Sequence, residues 1–452
     1  MIGMLLGFEL RDDWPTGRFR DFSSIRSQRK KTKKNMVQTH SSTIPAVDAH
    51  RHPTLLGIPA AVWILAIGHG LVDCYATFVQ PLWPSLAEFI HTDEGRIQWA
   101  YMSWILAGSI TQLGFAGLAD MGKGRSLLWL GPFAGIILIT LLGHATGLLG
   151  LISILVAANL GFAAFHPEAA TLAGSAAPED RAKAMSIFAV GGFLGQALGP
   201  SLSGYLVSHG GLEQLAWTMI PGLLVCIGLM VALKINDSSI RAHRPLNIGQ
   251  NEAQKKPAAV SLRKQLKGRE WRLAHLLILS LLRVATAMGV PLTLAYSLAD
   301  QGVKADVIGE IQSVFLIGMG AGTLACALFV NKTNEKAVIW LAPLGVSLVL
   351  PFAVINNTTL LWIVMALSGA LLSLSLPLLT SRGQELLPEA PRVGSSLTMG
   401  LTWGLGGILV AALMAAVNHL GNHYLAFYVL AIWTGLSAIM SWPGWDFHRS
   451  RA

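Results

Sequence analysis

From Ile58 to Trp442 the chain alternates long apolar runs with short polar breaks. Each run is long enough to cross a bilayer, which takes about 20 residues in a helix. Within a run the apolar residues are continuous. A barrel strand would instead alternate between lumen and lipid, so that pattern excludes a barrel. Lipid offers the backbone no hydrogen-bond partner, which leaves the helix as the spanning structure. The runs predict twelve spans, at 58–88, 97–119, 126–146, 149–175, 182–208, 215–234, 273–299, 307–330, 337–356, 359–386, 394–418 and 422–443. The longest polar break, 235–272, holds Lys, Arg, Pro, Asn and Gln with no apolar period. It reads as a cytoplasmic linker between two six-helix bundles, 58–234 and 273–445, with tails at 1–57 and 446–452.

Composition fits a chain that mostly faces something other than water. It has 452 residues, 53% of them hydrophobic and 13% charged, against roughly 25% charged in a soluble domain. The placement of the charges says more than the net +9. Of the 33 Lys and Arg residues, only Arg96, Lys304 and Arg283 fall outside the tails, the central linker, the loops after spans 2, 4, 8 and 10 and the span ends that adjoin them. Lys and Arg gather on the cytoplasmic side of membrane proteins. A wrong span count would scatter them between both sides. Twelve spans with both termini cytoplasmic follow.

The basic tail, with Arg29-Lys30-Lys31 and Lys33-Lys34, reads as a disordered segment beside anionic lipid rather than a nucleic-acid arm. Its first residues lack the core of a signal peptide, and Met36 is an alternative start. Cys74, Cys226 and Cys326 sit in separate apolar runs, with neither a disulfide framework nor metal-ligand spacing.

The halves repeat. Asp120, Arg125, Trp129 and Pro132 correspond, at one constant offset, to Asn331, Lys336, Trp340 and Pro343. The loop Pro178-Glu179-Asp180-Arg181 is echoed by Pro388-Glu389-Ala390-Pro391-Arg392. Parallel six-helix repeats about an axis along the membrane normal place a substrate site near mid-membrane between them, exposed to each side in turn by rocking.

Ionisable groups inside spans cost roughly 2.5–3.5 kcal/mol each on insertion scales, so each needs a reason. Span 1 carries His69 and Asp73 at i,i+4, on one helix face. They suit proton or substrate binding, or a plain hydrogen bond to each other. Span 4 holds Phe165-His166-Pro167-Glu168, where Pro167 removes a backbone donor and flanks the bend with two titratable groups. Arg283 in span 7 cannot neutralise itself. It needs an anion such as Glu168, Asp73 or a phosphonate-like ligand, or a cluster of carbonyls. Gln112, Gln196 and Gln384 are weaker candidates, since amides often just join helices.

Gly117 and Asp120, followed by Lys123 and Arg125, close the turn between spans 2 and 3. A carboxylate there can hold one gate state by pairing with a cation or a helix N-terminus of the other half. In span 5, Gly191, Gly195 and Gly199 stack at i,i+4, and Pro200 and Gly204 follow. Such a stripe permits close helix contact. No phosphate-cradling loop, hydrolase nucleophile motif or two-His-plus-acid metal pattern on one helix is present. The chain therefore reads as no enzyme, with no cofactor and no metal.

Gly117-Leu118-Ala119-Asp120 with Gly122, Lys123 and Arg125 resembles the signature between helices 2 and 3 of the major facilitator transporters. Met121 stands where a basic residue often follows the acid. Gly195-x3-Gly199-Pro200-x2-Ser203-Gly204 resembles the helix 5 antiporter signature, with Ser203 where glycine is usual. Three stretches look like the fosmidomycin-resistance group of drug exporters. They are Gly68-His69-Gly70-Leu71-Val72-Asp73 running to Pro81-Leu82-Trp83-Pro84, Phe165-His166-Pro167-Glu168-Ala169-Ala170 continuing to Gly199-Pro200, and Gln384-Glu385-Leu386-Leu387-Pro388. The His-Pro-Glu stretch is the most specific of them.

The resemblance implies an all-α membrane fold of two pseudo-symmetric six-helix bundles. It also implies proton-coupled export of small toxic compounds by a monomer in the inner membrane. Asp73 and Glu168 are the first choices for the proton carrier, with His69 and His166 beside them, and Arg283 for holding an anionic group. A transporter of a metabolite such as a sugar, carboxylate or siderophore is the alternative within transport, because fold does not fix cargo. A non-transporting scaffold would need none of the buried polar residues.

Overall fold

A computed structural model of the protein describes residues 54–118, 124–236, 268–387, 394 and 396–442. The basic tail to residue 53, Asp120, Lys123, Pro388 and nearly all of the central linker lie outside the described residues. After a short hairpin, β1 (Thr54–Leu55) and β2 (Ile58–Pro59), every element is helical. In chain order the first half holds α1 (Ala60–Ala76), α2 (Trp83–Phe89), α3 (Glu94–Leu118), α4 (Gly124–Thr140), α5 (Gly147–Ala176), α6 (Arg181–Gly210) and α7 (Met219–Ile235). The second holds α8 (Glu270–Ala299), α9 (Ala305–Phe329), α10 (Glu335–Val349), α11 (Thr358–Leu386), α12 (Thr402–His419) and α13 (Leu425–Met440).

Among the described residues, 9 helices are long and apolar enough to cross a membrane, counting α1 with α2 as one. α4 and α13 are shorter apolar helices, and the 25-residue α3 completes the twelve. The protein is an all-α membrane protein of two pseudo-symmetric six-helix bundles. Ile110, Leu130, Leu149, Ile220, Leu224 and Ile439 face outward and are more than half exposed. Such an apolar belt would aggregate in water and is at home in lipid.

The first span departs from the uninterrupted helix expected at 58–88. α1 ends at Thr77, a 3₁₀ turn covers Gln80–Leu82, and α2 starts at Trp83. Pro81 and Pro84 lack backbone donors, and each stands in the first turn of an element, where none is needed. The break brings Gln80 and Trp83 to the wall of the central cavity that Asp73 also lines.

Within the first half α1 packs on α6, and α5 on α3 and α4. Between the halves α6 crosses α9 and α3 crosses α12, a symmetric pair of contacts. Without a hydrophobic drive inside lipid, close backbone approach holds such helices together. A Cβ on Gly191 would strike the Ala66 carbonyl oxygen, one on Gly195 that of Gly70, and one on Gly199 that of Cys74. Further along α6 the same helix turns to the other half. Gly204 meets the backbone of Ala305, and the Pro200 carbonyl lies against Gly309. Ser203 donates to the Phe78 carbonyl at 2.8 Å. The Gly-Pro motif therefore serves two interfaces, one within a half and one between halves.

Candidate functional site

Asp73 is 5% exposed and lies where α1, α5 and α6 meet. His166 Nε2 is 3.0 Å from Asp73 Oδ1, and His69 Nε2 is 3.3 Å from Oδ2. Gln196 Nε2 donates to Oδ2 at 2.8 Å. The other nitrogen of each imidazole is also engaged. His69 Nδ1 is 2.8 Å from the Phe188 carbonyl, and His166 Nδ1 is 2.8 Å from the Phe162 carbonyl. A carbonyl oxygen only accepts, so each Nδ1 carries a hydrogen. A neutral imidazole would then point its Nε2 lone pair at a carboxylate lone pair. The 3.0 Å contact therefore requires a proton between His166 and Asp73, on either partner.

The packing fixes these rings. His69 stacks on Phe188 with centroids 4.1 Å apart, and a Cβ at Gly192 would strike the His69 ring. His69, Asp73 and His166 offer ligand atoms all within 4.8 Å of one another. The sequence showed no metal-like spacing because these atoms come from two helices far apart in the chain. Distances of this kind suit a shared cation, and a proton fills that role between His166 and Asp73.

Asp73 and Gln196 face a cavity of about 150 Å³ between the halves. Thr77, Gln80, Trp83, Tyr101, Trp104 and Ile105 line it from the first half, and Met288, Leu292, Met319 and Trp403 from the second. Sequence reasoning missed the aromatic lining, because a Trp in an apolar span gives no sign of which face it occupies. Glu168 is half-buried on α5 and lies neither in this cluster nor on the cavity wall.

Arg283 goes elsewhere. It is fully buried among α8, α10 and α13, where Nε donates to Ser437 Oγ at 2.8 Å and Nη2 to the Ile339 carbonyl at 2.8 Å and Ser441 Oγ at 3.2 Å. Of the partners weighed for it, the structure supplies the carbonyl, with hydroxyls, rather than Asp73 or Glu168. Among the described residues Nη1 has no hydrogen-bond partner. Arg283→Ala should lower stability by about 2–5 kcal/mol by opening a void. Arg283→Met should recover most of that and retain transport, since a buried charge is often replaceable by an apolar side chain of similar volume. Thermal unfolding and vesicle transport check both; a folded but inactive Met variant would place Arg283 in the transport cycle.

Of the remaining sequence candidates, Arg125 is exposed in the first turn of α4. Glu385 pairs with Arg382 at 3.3 Å, and Arg382 also reaches Glu335 at 2.6 Å, within the second half. Gln384 is exposed near the end of α11.

A second polar cluster closes the end of the bundle opposite the linker. His423, 5% exposed, sits between α12 and α13. Its Nδ1 is 2.6 Å from Asp300 Oδ2, and its Nε2 is 3.0 Å from Glu94 Oε2, an ion-pair distance without hydrogen-bond geometry. Glu94 opens α3 in one half, whereas Asp300 caps α8 in the other. Burial alone would lower the His423 pKa, but the two carboxylates outweigh it and hold the group above its ordinary value of 6.5. The Tyr296 ring lies 5.3 Å away. Nearby, Asp306 N donates to Ser208 Oγ at 2.9 Å, again across the halves.

The imidazolium therefore favours the closed form of this end. Its contribution is full below the ordinary value and fades as pH rises through the raised one. Each unit of pKa difference between closed and open forms shifts their ratio about tenfold. Spin labels at Asp93 and Asn422 should report a longer-distance population that grows with pH. His423→Asn should remove that dependence; its persistence in the variant would discard the latch.

Two repeated helical bundles around a buried polar cluster and a shared cavity are the architecture of a membrane transporter. A family model described as Major Facilitator Superfamily matches residues 65–411, and the chain belongs to that family. It is 26% identical over 382 residues to the fosmidomycin resistance protein of Escherichia coli (strain K12), covering 81% of this chain and 87% of that one. Its fold is similar to that of a D-xylose-proton symporter, with a TM-score of 0.64 at 14% identity over 84% of this chain and 96% of that one. It is also similar to a point mutant of the nucleoside transporter NupG, with a TM-score of 0.62 at 15% identity over 84% of this chain and 98% of that one. Proteins named for a drug, a sugar and a nucleoside share the fold, so cargo must be argued from the cavity.

Proposed function

We propose that the chain is a monomeric exporter that moves a small drug-like or toxic organic compound across the plasma (inner) membrane in exchange for protons. The observation that carries this reading is the 3.0 Å contact between His166 Nε2 and Asp73 Oδ1, which needs a shared proton, with Asp73 on the wall of a cavity shared by both halves. A carboxylate that binds either proton or cargo couples their opposite flows. The distribution of Lys and Arg supports a cytoplasmic linker end and cytoplasmic termini. The closed end at His423 then faces outward.

In this cycle cargo enters from the cytoplasmic side and displaces the proton, and the halves rock about the α6–α9 and α3–α12 crossings. Proton binding from outside then expels the cargo. The test is accumulation of a panel of toxic compounds into inverted vesicles under an imposed pH gradient. Accumulation that collapses with the gradient is expected. Flux of every compound equal to that of protein-free vesicles refutes export.

A further inference from the structure

The central cavity carries a chemical signature for its cargo. Four aromatic side chains line it, Trp83, Tyr101, Trp104 and Trp403, together with the thioethers of Met288 and Met319. Trp83 and Tyr101 meet edge to face at 5.5 Å, and Trp83 and Trp104 at 6.2 Å, a rigid aromatic wall on the first half. The polar lining is Asp73, Thr77, Gln80 and Gln196. Among the described residues no Lys or Arg lines the cavity.

Hydrogen-bonding capacity is left over in the same place. Among the described residues the buried acceptor Gln80 Oε1 and the buried donor Trp104 Nε1 have no partner, and buried polar atoms without partners call for an explanation, here a cargo that carries an acceptor as well as a positive charge. Thr77 is spent, since its hydroxyl donates to the Asp73 carbonyl at 2.9 Å. One carboxylate, one free amide oxygen and aromatic faces attract positive charge. An anionic phosphonate or carboxylate would meet no cationic side chain there, and Arg283, on the α8 helix that also lines the cavity, is fully buried and turned to Ser437 and the Ile339 carbonyl instead. A cavity near 150 Å³ accommodates a body of about one aromatic ring.

Resting on the exchange reading above, we infer that the cargo is a small aromatic cation, such as an arylammonium, whose charge takes the place of the proton shared by Asp73 and His166. Its ring lies among Trp83, Tyr101, Trp104 and Trp403. Charge balances in the exchange: one positive charge enters the site and one proton leaves it for solvent. An N–H donor on the cargo would also satisfy Gln80 Oε1.

The test uses the purified full-length protein with two one-ring probes, phenyltrimethylammonium and phenylphosphonate. Binding is followed by tryptophan fluorescence, proton release by a pH indicator in weak buffer, and exchange in proteoliposomes. The cation should bind, release about one proton per molecule and be moved against a proton gradient, and the phosphonate should do none of these. Asp73→Asn should remove proton release. Trp403→Leu, which leaves the acid cluster intact, should weaken cation binding about fivefold, the scale of one cation–π contact.

Binding and proton-driven movement of the phosphonate alone overturns the cation inference and leaves the exporter reading standing. Cation binding with proton release but no flux supports the inference and sinks the exporter reading. A protein that binds neither probe overturns the inference.

Discussion

Asp73→Asn is expected to reduce proton-driven export to the level of protein-free vesicles while the protein still inserts and folds. The side chain keeps its size, and Gln196 can still donate to an amide oxygen at the position of Oδ2, now 2.8 Å away. The exchangeable proton is what disappears. An Asn cannot share one with His166 Nε2, which faces Oδ1 at 3.0 Å, so cargo and proton no longer compete for one charge. The stability cost should be about 1.5–3 kcal/mol, the scale of a hydrogen bond to a charged group. Side-by-side measurement of pH-driven accumulation and thermal unfolding separates coupling from folding. Glu168→Gln is the control, because Glu168 lies on the same helix as His166 but off the cavity wall. Coupling lost in the Glu168 variant and kept in the Asp73 variant would move the proton site along α5.

The fold was legible because lipid leaves so few options. Continuous apolar runs, polar breaks and the one-sided distribution of Lys and Arg express the same physical constraint. Even the repeat could be read from Trp129 and Trp340 at equivalent places. The buried acid was legible too, because Asp73 in an apolar run has no cheap explanation. What stayed hidden depended on which face of a helix meets which neighbour. His69 and Asp73 are a turn apart and could be paired on paper, whereas His166 joins them from α5 at a separation of 93 residues. Arg283 shows the same limit. Its need for partners could be inferred, but Ser437, Ser441 and the Ile339 carbonyl carry no charge that would single them out. Glu94, Asp300 and His423 stand at span ends, where polar residues are ordinary, so nothing in the chain distinguishes a latch from a cap.

The crossing of α1 with α6 makes packing and coupling inseparable, and Gly195 is where that can be tested. A Cβ there would overlap the Gly70 carbonyl, which is backbone and cannot rotate aside. Gly195→Leu should give little folded protein. Gly195→Ala should cost about 1–3 kcal/mol, the usual range for overpacking, although alanine is the better helix former by about 1 kcal/mol. Gly228 in α7 is the contrast, because nothing lies within 4 Å of a Cβ built on it. Gly228→Ala should therefore be neutral or stabilising, as measured by thermal unfolding in detergent. The two alanine variants differ only in what the added methyl meets. The residue after Gly195 is Gln196, whose amide holds Asp73 at 2.8 Å. Prying the helices apart stretches that bond and shifts the acid relative to His166. Gly195→Ala should consequently weaken proton-driven export more than its loss of folded protein accounts for, whereas Gly228→Ala should leave it unchanged. Equal stability of the two variants would mean that α1 and α6 do not cross with their backbones in contact, and the position assigned to Asp73 would have to be abandoned with that crossing.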